Sequence, residues 1–449
     1  MKKWRCRICG YIHAGENPPD LCPVCGATTE DFKLLENLFS QSDTPAPNRI
    51  IIVGNGAAGI EAARTIRENN QQVEILVFGD ESYPFYSRIH LSTFIGDDSQ
   101  IESITIHPAS WYEQHKISTI LNTPVASIDP RNHKVFDPQG TSYSYDKLIL
   151  ATGAAPVIPP IPGIDKKGVF VLRNLSNALQ LRGKRTDYSS AVIIGGGILG
   201  IEAAASLKKF IKKVTIIEIS DRLMPQQLDK EGSMVLSHHL GNRGITVRTS
   251  TKVEEITGTD QLQGVRLSGS EEIAAQLVIP AAGISPNITL AARAGIKVNR
   301  GIVINEKMET DQPHILAAGD AAEFQQTIYG IWPAAVDQGV AAGANALGIS
   351  YPYRGTMPLH ILKVAGIEMT SVGKKYPDQP GEEQIIFRNP DAGEYARLVH
   401  NREFLLGALV LGISGIGFRL EKLIKKNISI RNMIGELATG NWGVLQQKK

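Results

Sequence analysis

The clearest hydrophobic pattern in the chain is an unbroken run of β-branched residues at 50–53. Without alternating polar residues, such a run predicts a strand that is buried on both faces. After a glycine-rich turn, Ile60, Ala63 and Ile66 recur at the spacing of a helix. A second apolar run then occupies residues 73–78. The pattern therefore predicts a unit made of a strand, a turn, a helix and a second strand.

The turn of this unit contains Gly54, Gly56 and Gly59 in the spacing G-x-G-x-x-G. In this context the first glycine permits a tight turn, the second lets a pyrophosphate approach the backbone, and the third lets the helix pack close to the sheet. The N-terminus of the helix offers N–H groups and the positive end of its dipole to the phosphates. We therefore expect a bound dinucleotide, with a glycine-rich turn of an ordinary α/β unit as the alternative.

The same unit recurs at residues 191–218, where Gly195, Gly197 and Gly200 take the three glycine positions. Even the start of the helix, GIEAA, is repeated, so the chain is expected to bind two dinucleotides. Glu218 follows the second apolar run, at the position of a carboxylate that accepts both adenosine ribose hydroxyls. Because this carboxylate would repel a 2′-phosphate, NADH is favoured over NADPH.

Length and composition fit a multidomain globular protein. The 449 residues allow about three domains, and 42% hydrophobic and 20% charged residues are ordinary values. A net charge of +2 without a basic block argues against a nucleic-acid partner. The most apolar run, residues 404–418, is too short and glycine-rich to span a membrane. No signal peptide is expected at the start, and the cytoplasm is the expected location.

All the cysteines lie near the N-terminus, as two C-x-x-C pairs: Cys6, Cys9, Cys22 and Cys25. This spacing predicts a tetrathiolate metal site, whereas a disulfide framework is disfavoured in a cytosolic chain. Zinc and iron both accept four thiolates in a tetrahedral arrangement, so the spacing alone leaves the metal open.

Residues 4–32 resemble a rubredoxin domain of the short type found at the end of rubrerythrins. The two knuckles, CxxCGY and CPxCGA, match, as do the aromatic residues Trp4, Tyr11 and Phe32. The longer insert of ordinary rubredoxins is missing, but the ligands are retained. The resemblance implies redox-active iron, with a structural zinc ribbon as the alternative.

From about residue 49 to 431, the chain resembles the FAD-dependent pyridine nucleotide-disulfide oxidoreductase superfamily, and within it the branch of NADH:rubredoxin reductases and nitrite-reductase flavoproteins. The resemblance rests on four motifs in fixed order: LILATG at 148–153, IPAAGISPN at 279–287, ILAAGD at 315–320, and the run WPAAVDQGVAAG at 332–343.

This resemblance implies that FAD binds the first glycine unit and NADH the second. It adds a further set of cofactor-binding residues, namely Thr152, Gly153, Gly283, Gly319 and Asp320. The aspartate is expected to bind the ribityl chain of FAD. The run at 332–343 resembles the helix whose N-terminus points at the flavin pyrimidine ring, where its dipole would stabilise the anionic reduced flavin.

Three charged side chains complete the candidate site. Glu81 is expected at the FAD ribose, and Arg88 is a candidate flavin-side cation. Glu202 occupies the place where family members keep a carboxylate near the nicotinamide. Arg88 and Glu202 are the candidate catalytic residues, and each also fits an ordinary surface or helix residue. Thr93 stands where this branch often has a lysine beside the flavin, which changes the charge expected there.

No cysteine follows Cys25. The chain therefore lacks the thiols with which disulfide reductases and single-cysteine relatives react beside the flavin. It also lacks the cysteines with which the nitrite reductases bind an iron–sulfur cluster.

The implied fold class is α/β, with two Rossmann-like, doubly wound FAD and NAD domains, an α+β C-terminal interface domain, and a small N-terminal rubredoxin-like metal ribbon. The expected boundaries are a rubredoxin-like domain at 1–36, a mobile linker at 37–48, FAD-binding parts at 49–165 and 286–349, an NAD-binding domain at 166–285, and the interface domain at 350–449.

These features predict an oxidoreductase that passes electrons from NADH through FAD to tetrathiolate iron. The expected partners are NADH and an electron-acceptor protein such as a rubredoxin or a rubrerythrin, with the chain as a monomer or homodimer. The alternatives are a peroxide-forming NADH oxidase with a structural zinc ribbon, and a redox-sensing docking protein that binds NADH and FAD.

Overall fold

The computed structural model describes residues 2–6, 10–23, 27–35, 45–357 and 359–446. Cys9, Cys25 and most of the predicted linker lie outside the described residues. The chain divides into two units. Unit 1 comprises Met1–Ile89, Gln100–Ala155 and Ile284–Thr356, and unit 2 comprises His90–Ser99, Pro156–Gly283 and Met357–Lys449.

The α-helices, numbered in chain order, are α1 (Ala57–Asn69), α2 (Leu91–Phe94), α3 (Ala109–Gln114), α4 (Leu175–Lys184), α5 (Ile198–Leu207), α6 (Lys230–Asn242), α7 (Thr289–Arg293), α8 (Trp332–Ala346), α9 (Gly417–Lys425) and α10 (Ile434–Ala438). Short 3₁₀ turns lie at Thr29–Asp31, Arg88–His90, Ile101–Ser103, Gly319–Ala321 and Trp442–Gln446.

The strands are β1 (Lys3–Cys6), β2 (Ile12–Ala14), β3 (Phe32–Leu35), β4 (Arg49–Val53), β5 (Glu74–Phe78), β6 (Ile117–Ile120), β7 (Ser127–Asp129), β8 (Lys134–Phe136), β9 (Ser142–Ser144), β10 (Lys147–Leu150), β11 (Ala154–Pro156), β12 (Ser190–Ile194), β13 (Lys213–Ile217), β14 (Ile245–Arg248), β15 (Val253–Gly258), β16 (Leu262–Leu267), β17 (Glu272–Ala274), β18 (Leu277–Pro280), β19 (Ile284–Pro286), β20 (Ile302–Ile304), β21 (Ile315–Ala317), β22 (Ala322–Phe324), β23 (Leu359–Val364), β24 (Ile367–Gly373), β25 (Glu383–Asn389), β26 (Glu394–His400) and β27 (Leu405–Leu411).

The centre of unit 1 is a parallel sheet in the order β21-β10-β4-β5-β6. Its strand β4 is buried on both faces, as the β-branched run predicts, with Ile50, Ile51 and Ile52 fully inaccessible. In this sheet Val53 is level with Phe78 and Leu150 on the neighbouring strands. The turns that follow these strands therefore meet at the carboxyl edge, where ligands of open α/β sheets bind.

The N-terminal module of unit 1 (residues 2–35) contains an antiparallel sheet in the order β2-β1-β3. The Cys6 N–H donates to the Tyr11 carbonyl over 2.7 Å, and the Gly10 N–H donates to the Cys6 carbonyl over 2.9 Å. The Cys22 N–H donates in the same way to the Ala27 carbonyl over 2.7 Å. These bonds join described residues on either side of positions 7–9 and 24–26.

Unit 2 contains a parallel sheet in the order β14-β13-β12-β18 and an antiparallel sheet, β15-β16-β17. Its C-terminal part is an antiparallel sheet in the order β23-β24-β27-β26-β25, with α9 and α10 packed against it. The change to strands and a helix after about residue 350 agrees with the pattern of the sequence. Among the helices of the described ranges, none is both long and apolar enough to cross a membrane.

Candidate functional site

The first cradle, which we define as Gly54 to Gly59, has the geometry that a pyrophosphate requires. Gly54 has a φ of +124°, and a Cβ there would lie 2.1 Å from the Ala151 carbonyl oxygen. A Cβ on Gly59 would lie 1.9 Å from the Gly54 carbonyl oxygen. Gly56 precedes α1 as its N-cap, and a Cβ there would have no neighbouring heavy atom within 4 Å. The protein itself therefore needs glycine at the outer two positions, whereas the middle position leaves room for a phosphate.

The second cradle, Gly195 to Gly200, repeats this geometry in unit 2. Gly195 has a φ of +119°, and a Cβ there would lie 2.4 Å from the Ala281 carbonyl oxygen. A Cβ on Gly200 would lie 2.1 Å from the Gly195 carbonyl oxygen. A Cβ on Gly197, the N-cap of α5, would have no heavy atom within 4 Å. Both predicted phosphate cradles thus have the same backbone arrangement.

Glu218 directly follows β13 and is only 7% exposed. Its Oε2 accepts a hydrogen bond from the Gly196 N–H over 2.6 Å, and its Oε1 accepts one from the Ser220 N–H over 2.7 Å. The carboxylate is therefore held at the mouth of the second cradle. Its contact with a ribose stays a prediction.

In the first unit, Gly79 rather than an acidic residue directly follows β5, and Glu81 comes two residues later. Glu81 Oε1 accepts a hydrogen bond from Arg88 over 2.5 Å, and its Oε2 accepts one from the Tyr86 hydroxyl over 2.6 Å. The Arg88 guanidinium also lies 5.4 Å from the centre of the Tyr86 ring. The structure thus joins two predicted site residues in an ion pair that the sequence did not predict. Their roles at FAD stay predictions.

The turn with Gly319 and Asp320 lies against the first cradle. A Cβ on Gly319 would lie 2.8 Å from the Ala58 Cβ in the first turn of α1. The Gly319 N–H donates to Gln338 Oε1 of α8 over 2.8 Å. The fold therefore places the partly exposed Asp320 beside the N-terminus of α1, where the ribityl chain of an FAD bound to this cradle is expected.

Helix α8 approaches α1 at two glycines that the sequence reasoning missed. A Cβ on Gly339 would lie 2.4 Å from the Ala58 carbonyl oxygen, and a Cβ on Gly343 would lie 2.6 Å from the Ala62 carbonyl oxygen. The sequence feature that could have predicted this packing is a pair of small residues four positions apart on each helix: Ala58 and Ala62 on α1, and Gly339 and Gly343 on α8. This close packing holds α8 against the cradle helix.

The motifs at 148–153 and 279–287 meet through a reciprocal pair of hydrogen bonds. Thr152 Oγ1 donates to the Asn287 carbonyl over 2.9 Å, and Asn287 Nδ2 donates to the Thr152 carbonyl over 2.8 Å. The Asn287 N–H also donates to the Gly153 carbonyl over 2.9 Å. Gly283 has a φ of +105°, and a Cβ there would have no heavy atom within 4 Å. The cofactor contacts of Thr152, Gly153 and Gly283 stay predictions.

Glu202 lies in α5 and accepts a hydrogen bond from Ser92 Oγ over 2.6 Å at its Oε2. Burial raises the pKa of this carboxyl, and the hydrogen bond from Ser92 opposes that rise. Thr93, in the position of the family's lysine, donates to the His90 carbonyl over 2.9 Å. The hydrogen-bond donor to Glu202 is thus Ser92, whereas the neighbouring Thr93 bonds to the backbone. Proximity to a nicotinamide stays a prediction.

A second contact that the sequence reasoning missed fixes Asn55 between two glycines of the first cradle. The Tyr112 hydroxyl donates to Asn55 Oδ1 over 2.8 Å, and Asn55 Nδ2 donates to the Tyr83 carbonyl over 3.3 Å. Burial raises the pKa of Tyr112 to about 12. Tyr112 therefore stays protonated and able to donate at physiological pH.

Of the four predicted metal ligands, the structure describes Cys6 and Cys22, which are 0% and 3% exposed. Both are held in the hydrogen-bonded loops of the N-terminal module, which suit the knuckles of a tetrathiolate site. Cys9 and Cys25 lie outside the described residues. The ligand set therefore stays a prediction.

Three protein families match the chain. Residues 48–339 match the pyridine nucleotide-disulphide oxidoreductase family, residues 4–33 the rubrerythrin, rubredoxin-like domain, and residues 358–428 the rubredoxin NAD+ reductase C-terminal domain. The pyridine nucleotide-disulphide oxidoreductase family is consistent with the predicted cofactors FAD and NADH. The match to the rubredoxin-like domain supports iron as the predicted metal.

Among similar proteins, the nitrite reductase [NAD(P)H] of Bacillus subtilis is 36% identical over 85% of this chain, and the match covers 48% of that protein. This chain spans about half the length of that relative. The NADH-rubredoxin oxidoreductase of Clostridium acetobutylicum is 31% identical over 86% of this chain and 96% of that protein. A crystal structure of the NADH:rubredoxin oxidoreductase from the same organism superposes with a TM-score of 0.73 at 29% identity, covering 89% of this chain and 99% of the other.

The matches confirm the resemblance and the fold class. The chain belongs to the pyridine nucleotide-disulphide oxidoreductase family.

Proposed function

We propose that the protein is an NADH-dependent flavoprotein that passes electrons from NADH through FAD to iron bound by its N-terminal module. One observation carries this proposal. Every cysteine of the chain lies in the module, and the module belongs to the same compact unit as the first cradle. Thiol chemistry is therefore not available elsewhere in the chain, and the four candidate metal ligands belong to the unit that contains the first cradle.

In this proposal the first cradle holds FAD. Gly56 admits the pyrophosphate, Glu81 binds the ribose, and Asp320 fixes the ribityl chain. Helix α8 directs the positive end of its dipole at the flavin, where it favours the anionic reduced form. When bound, FAD accepts two electrons as a hydride and releases them singly, which suits a one-electron iron acceptor.

The second cradle holds NADH. Gly197 admits its pyrophosphate, and Glu218 accepts hydrogen bonds from its adenosine ribose. The buried carboxylate of Glu218 would repel the 2′-phosphate of NADPH, because burial weakens the solvent screening of two negative charges at close range. Arg88 is the candidate catalytic residue at the flavin, and Glu202 is the candidate catalytic residue at the nicotinamide.

The iron ligands are Cys6, Cys9, Cys22 and Cys25. The iron then passes its electron to a carrier protein such as a rubredoxin or a rubrerythrin. The chain itself is a monomer or a homodimer. The names of the relatives from Clostridium acetobutylicum support a carrier of this kind. A tetrathiolate also accepts zinc, which would supply structure but no electron transfer.

Anaerobic stopped flow tests the route by following the flavin and ferric iron bands separately after NADH is added. We expect the flavin band to fall first and the iron bands to follow. Cys9→Ser and Cys25→Ser should keep flavin reduction and lose the iron bands, because the variants keep both cradles but not the metal site.

Two outcomes contradict the proposal. If the purified protein contains zinc and shows no ferric bands, the module is structural, and oxygen consumption with peroxide release then identifies an NADH oxidase. If ferric bands are present but persist while the flavin turns over, the module is not on the electron route and serves as a docking domain.

A further inference from the structure

The N-terminal module contacts the rest of unit 1 through two ion pairs. Arg5, on β1, pairs with Asp337 of α8. Lys3, on the same strand, places its Nζ 2.6 Å from Glu68 Oε2 of α1. All four side chains are partly buried, so salt screens these pairs less than it screens exposed pairs.

The two acidic partners are held in place by further contacts. Asp337 Oδ2 accepts a hydrogen bond from Thr356 Oγ1 over 2.8 Å. Glu68 Oε1 accepts one from Arg64 over 2.7 Å, and the same guanidinium binds the buried Glu61. Preorganised carboxylates cost less conformational entropy when a cation binds. The face formed by Glu68 and Asp337 is therefore prepared for the basic edge of the module.

Gly10 of the module lies against α8. A Cβ added to Gly10, which follows Cys9 in the sequence, would lie 3.1 Å from the Val336 Cβ. A Cβ on Gly319, in the turn beside the first cradle, would lie 3.9 Å from the Ala335 Cβ. Gly10 of the module and Gly319 of the turn that carries Asp320 thus lie against consecutive residues of one helix.

We propose that the face formed by Glu68, Val336 and Asp337 is a dedicated docking surface for the chain's own N-terminal module. We propose further that electrons reach the module while it is docked there. This inference rests on the proposed function and makes it more specific, since the route then needs no swing of the linker. Docking keeps the donor and acceptor at one fixed separation, whereas a free module would have to find this position at each turnover.

A covalent lock tests both statements on the full chain. A water-soluble carbodiimide condenses the Lys3 amine with the Glu68 carboxylate into an amide and takes up the elements of water to become a urea. Mass spectrometry should identify the peptide that joins Lys3 to Glu68. In the locked protein, we expect the rate of iron reduction by the flavin to stay within about twofold of the untreated rate, because the module is already in position.

The matched control is Lys3→Arg, which keeps the positive charge but cannot form the amide. Treating it with carbodiimide reports the effect of every other modification. Lys2 provides an internal control, because its Nζ lies 3.9 Å from Glu16 within the module. Lys2→Glu changes the charge of the module as much as Arg5→Glu does, and only Arg5→Glu should lower the yield of the Lys3–Glu68 cross-link.

Charge reversal gives a second measurement that does not depend on the lock. Arg5→Glu places two carboxylates together and should lower the yield of the Lys3–Glu68 cross-link severalfold. Combining it with Asp337→Arg restores opposite charges and should recover most of the yield.

The outcomes separate the two proposals. Absence of the cross-link in the unmodified protein, or loss of iron reduction in the locked protein but not in treated Lys3→Arg, overturns docked transfer. If the iron of untreated protein is never reduced, the proposed function fails and transfer fails with it. The cross-link then still shows whether the module occupies this surface.

Discussion

The two glycine cradles have nearly the same backbone but different surroundings. The φ values of their first glycines are +124° and +119°, and their third glycines approach the carbonyl oxygens of Gly54 and Gly195 in the same way. In each, the middle glycine begins a helix and has free space where a side chain would stand. The repeated glycine spacing therefore specifies a phosphate site but does not distinguish one cofactor from the other.

The surroundings differ first at the end of the second strand. Glu218 directly follows β13, whereas Gly79 occupies the corresponding place after β5. In the first unit the acidic side chain comes later, at Glu81, and it is already paired with Arg88. The two units are thus expected to hold their riboses differently.

The repeated GIEAA sequence gives the second difference, because it places a glutamate in each helix. Glu61 accepts two hydrogen bonds from Arg64, over 2.8 and 2.6 Å, whereas Ala205 stands three residues after Glu202. Glu202 instead accepts its hydrogen bond from Ser92. One copy of the repeat has become part of an ion-pair network that reaches the N-terminal module, and the other keeps a carboxyl without an arginine on its own helix.

The largest expected effect comes from filling the middle glycine of each cradle. Gly56→Val should weaken FAD binding at least tenfold, on the order of 1.4 kcal/mol or more, and give nearly colourless protein. A Cβ at this position has no protein heavy atom within 4 Å, so we expect the loss to fall on the ligand rather than on the fold. The flavin absorbance of the purified protein measures this effect.

Gly197→Val is the matched variant in the second cradle. It should purify yellow, and dithionite should still reduce its flavin, while NADH no longer does. A full flavin content in Gly56→Val would show that the first cradle does not bind FAD.

Local patterns in the sequence predicted the strands, glycine turns and helices of the two cradles correctly, because the determinants of these elements lie close together in the chain. A β-branched run specifies a buried strand, and a glycine followed by a helical pattern specifies the turn, as Gly54 and Gly195 show. The fold class followed from these units and from the order of the later motifs.

The contacts that the sequence did not predict join residues far apart in the chain. Tyr112 reaches Asn55 across 57 positions, and Ser92 reaches Glu202 across 110. No hydrophobic period encodes such a pair, because it depends on how separate elements pack. The ion pairs of Lys3 and Arg5 also join residues far apart in the chain. The sequence did not predict them, because a basic residue in a strand has the same local pattern whether or not it pairs with a distant carboxylate.

The second-largest effect is expected from the packing of α8 against α1, the helix of the first cradle. Gly343→Ala should destabilise unit 1 by about 1–3 kcal/mol, because its methyl group would collide with the backbone of α1. Scanning calorimetry measures the change as a lower unfolding temperature.

Gly183→Ala in α4 is the control, because its new methyl group would meet no heavy atom within 4 Å. It should stabilise the protein by about 0.4–1 kcal/mol, since alanine restricts the unfolded chain. Equal effects of the two variants would rule out close packing of α1 and α8.

A smaller effect is expected for coenzyme choice at the second cradle. The unmodified protein should prefer NADH to NADPH at least tenfold in kcat/KM, about 1.4 kcal/mol. Glu218→Gln should narrow this preference, because it removes the charge that repels the 2′-phosphate and keeps an oxygen for the Gly196 N–H. Steady-state kinetics with both coenzymes measure the ratio, and a preference for NADPH in the unmodified protein would contradict the role of Glu218.

The smallest effect is a pH dependence of stability that comes from Glu202. Because burial raises the pKa of Glu202, the folded protein binds its proton more tightly than the unfolded chain does. The resulting stabilisation is fully present below the ordinary pKa of about 4.3 and is lost as the pH rises through the raised value. The glutamine of Glu202→Gln does not titrate, so this variant does not lose stability in this way as the pH rises. The difference in unfolding temperature between the variant and the unmodified protein should therefore shift in favour of the variant with increasing pH over this window.

Ser92→Ala tests the cause of this shift. The hydrogen bond from Ser92 favours the charged carboxyl, so removing it should raise the pKa of Glu202 further and move the pH dependence of stability upward. A shift in the opposite direction, or none, would mean that Ser92 does not hold the Glu202 carboxylate. Glu202 would then lack the hydrogen bond from Ser92, which it accepts where Glu61 accepts hydrogen bonds from Arg64 in the first unit.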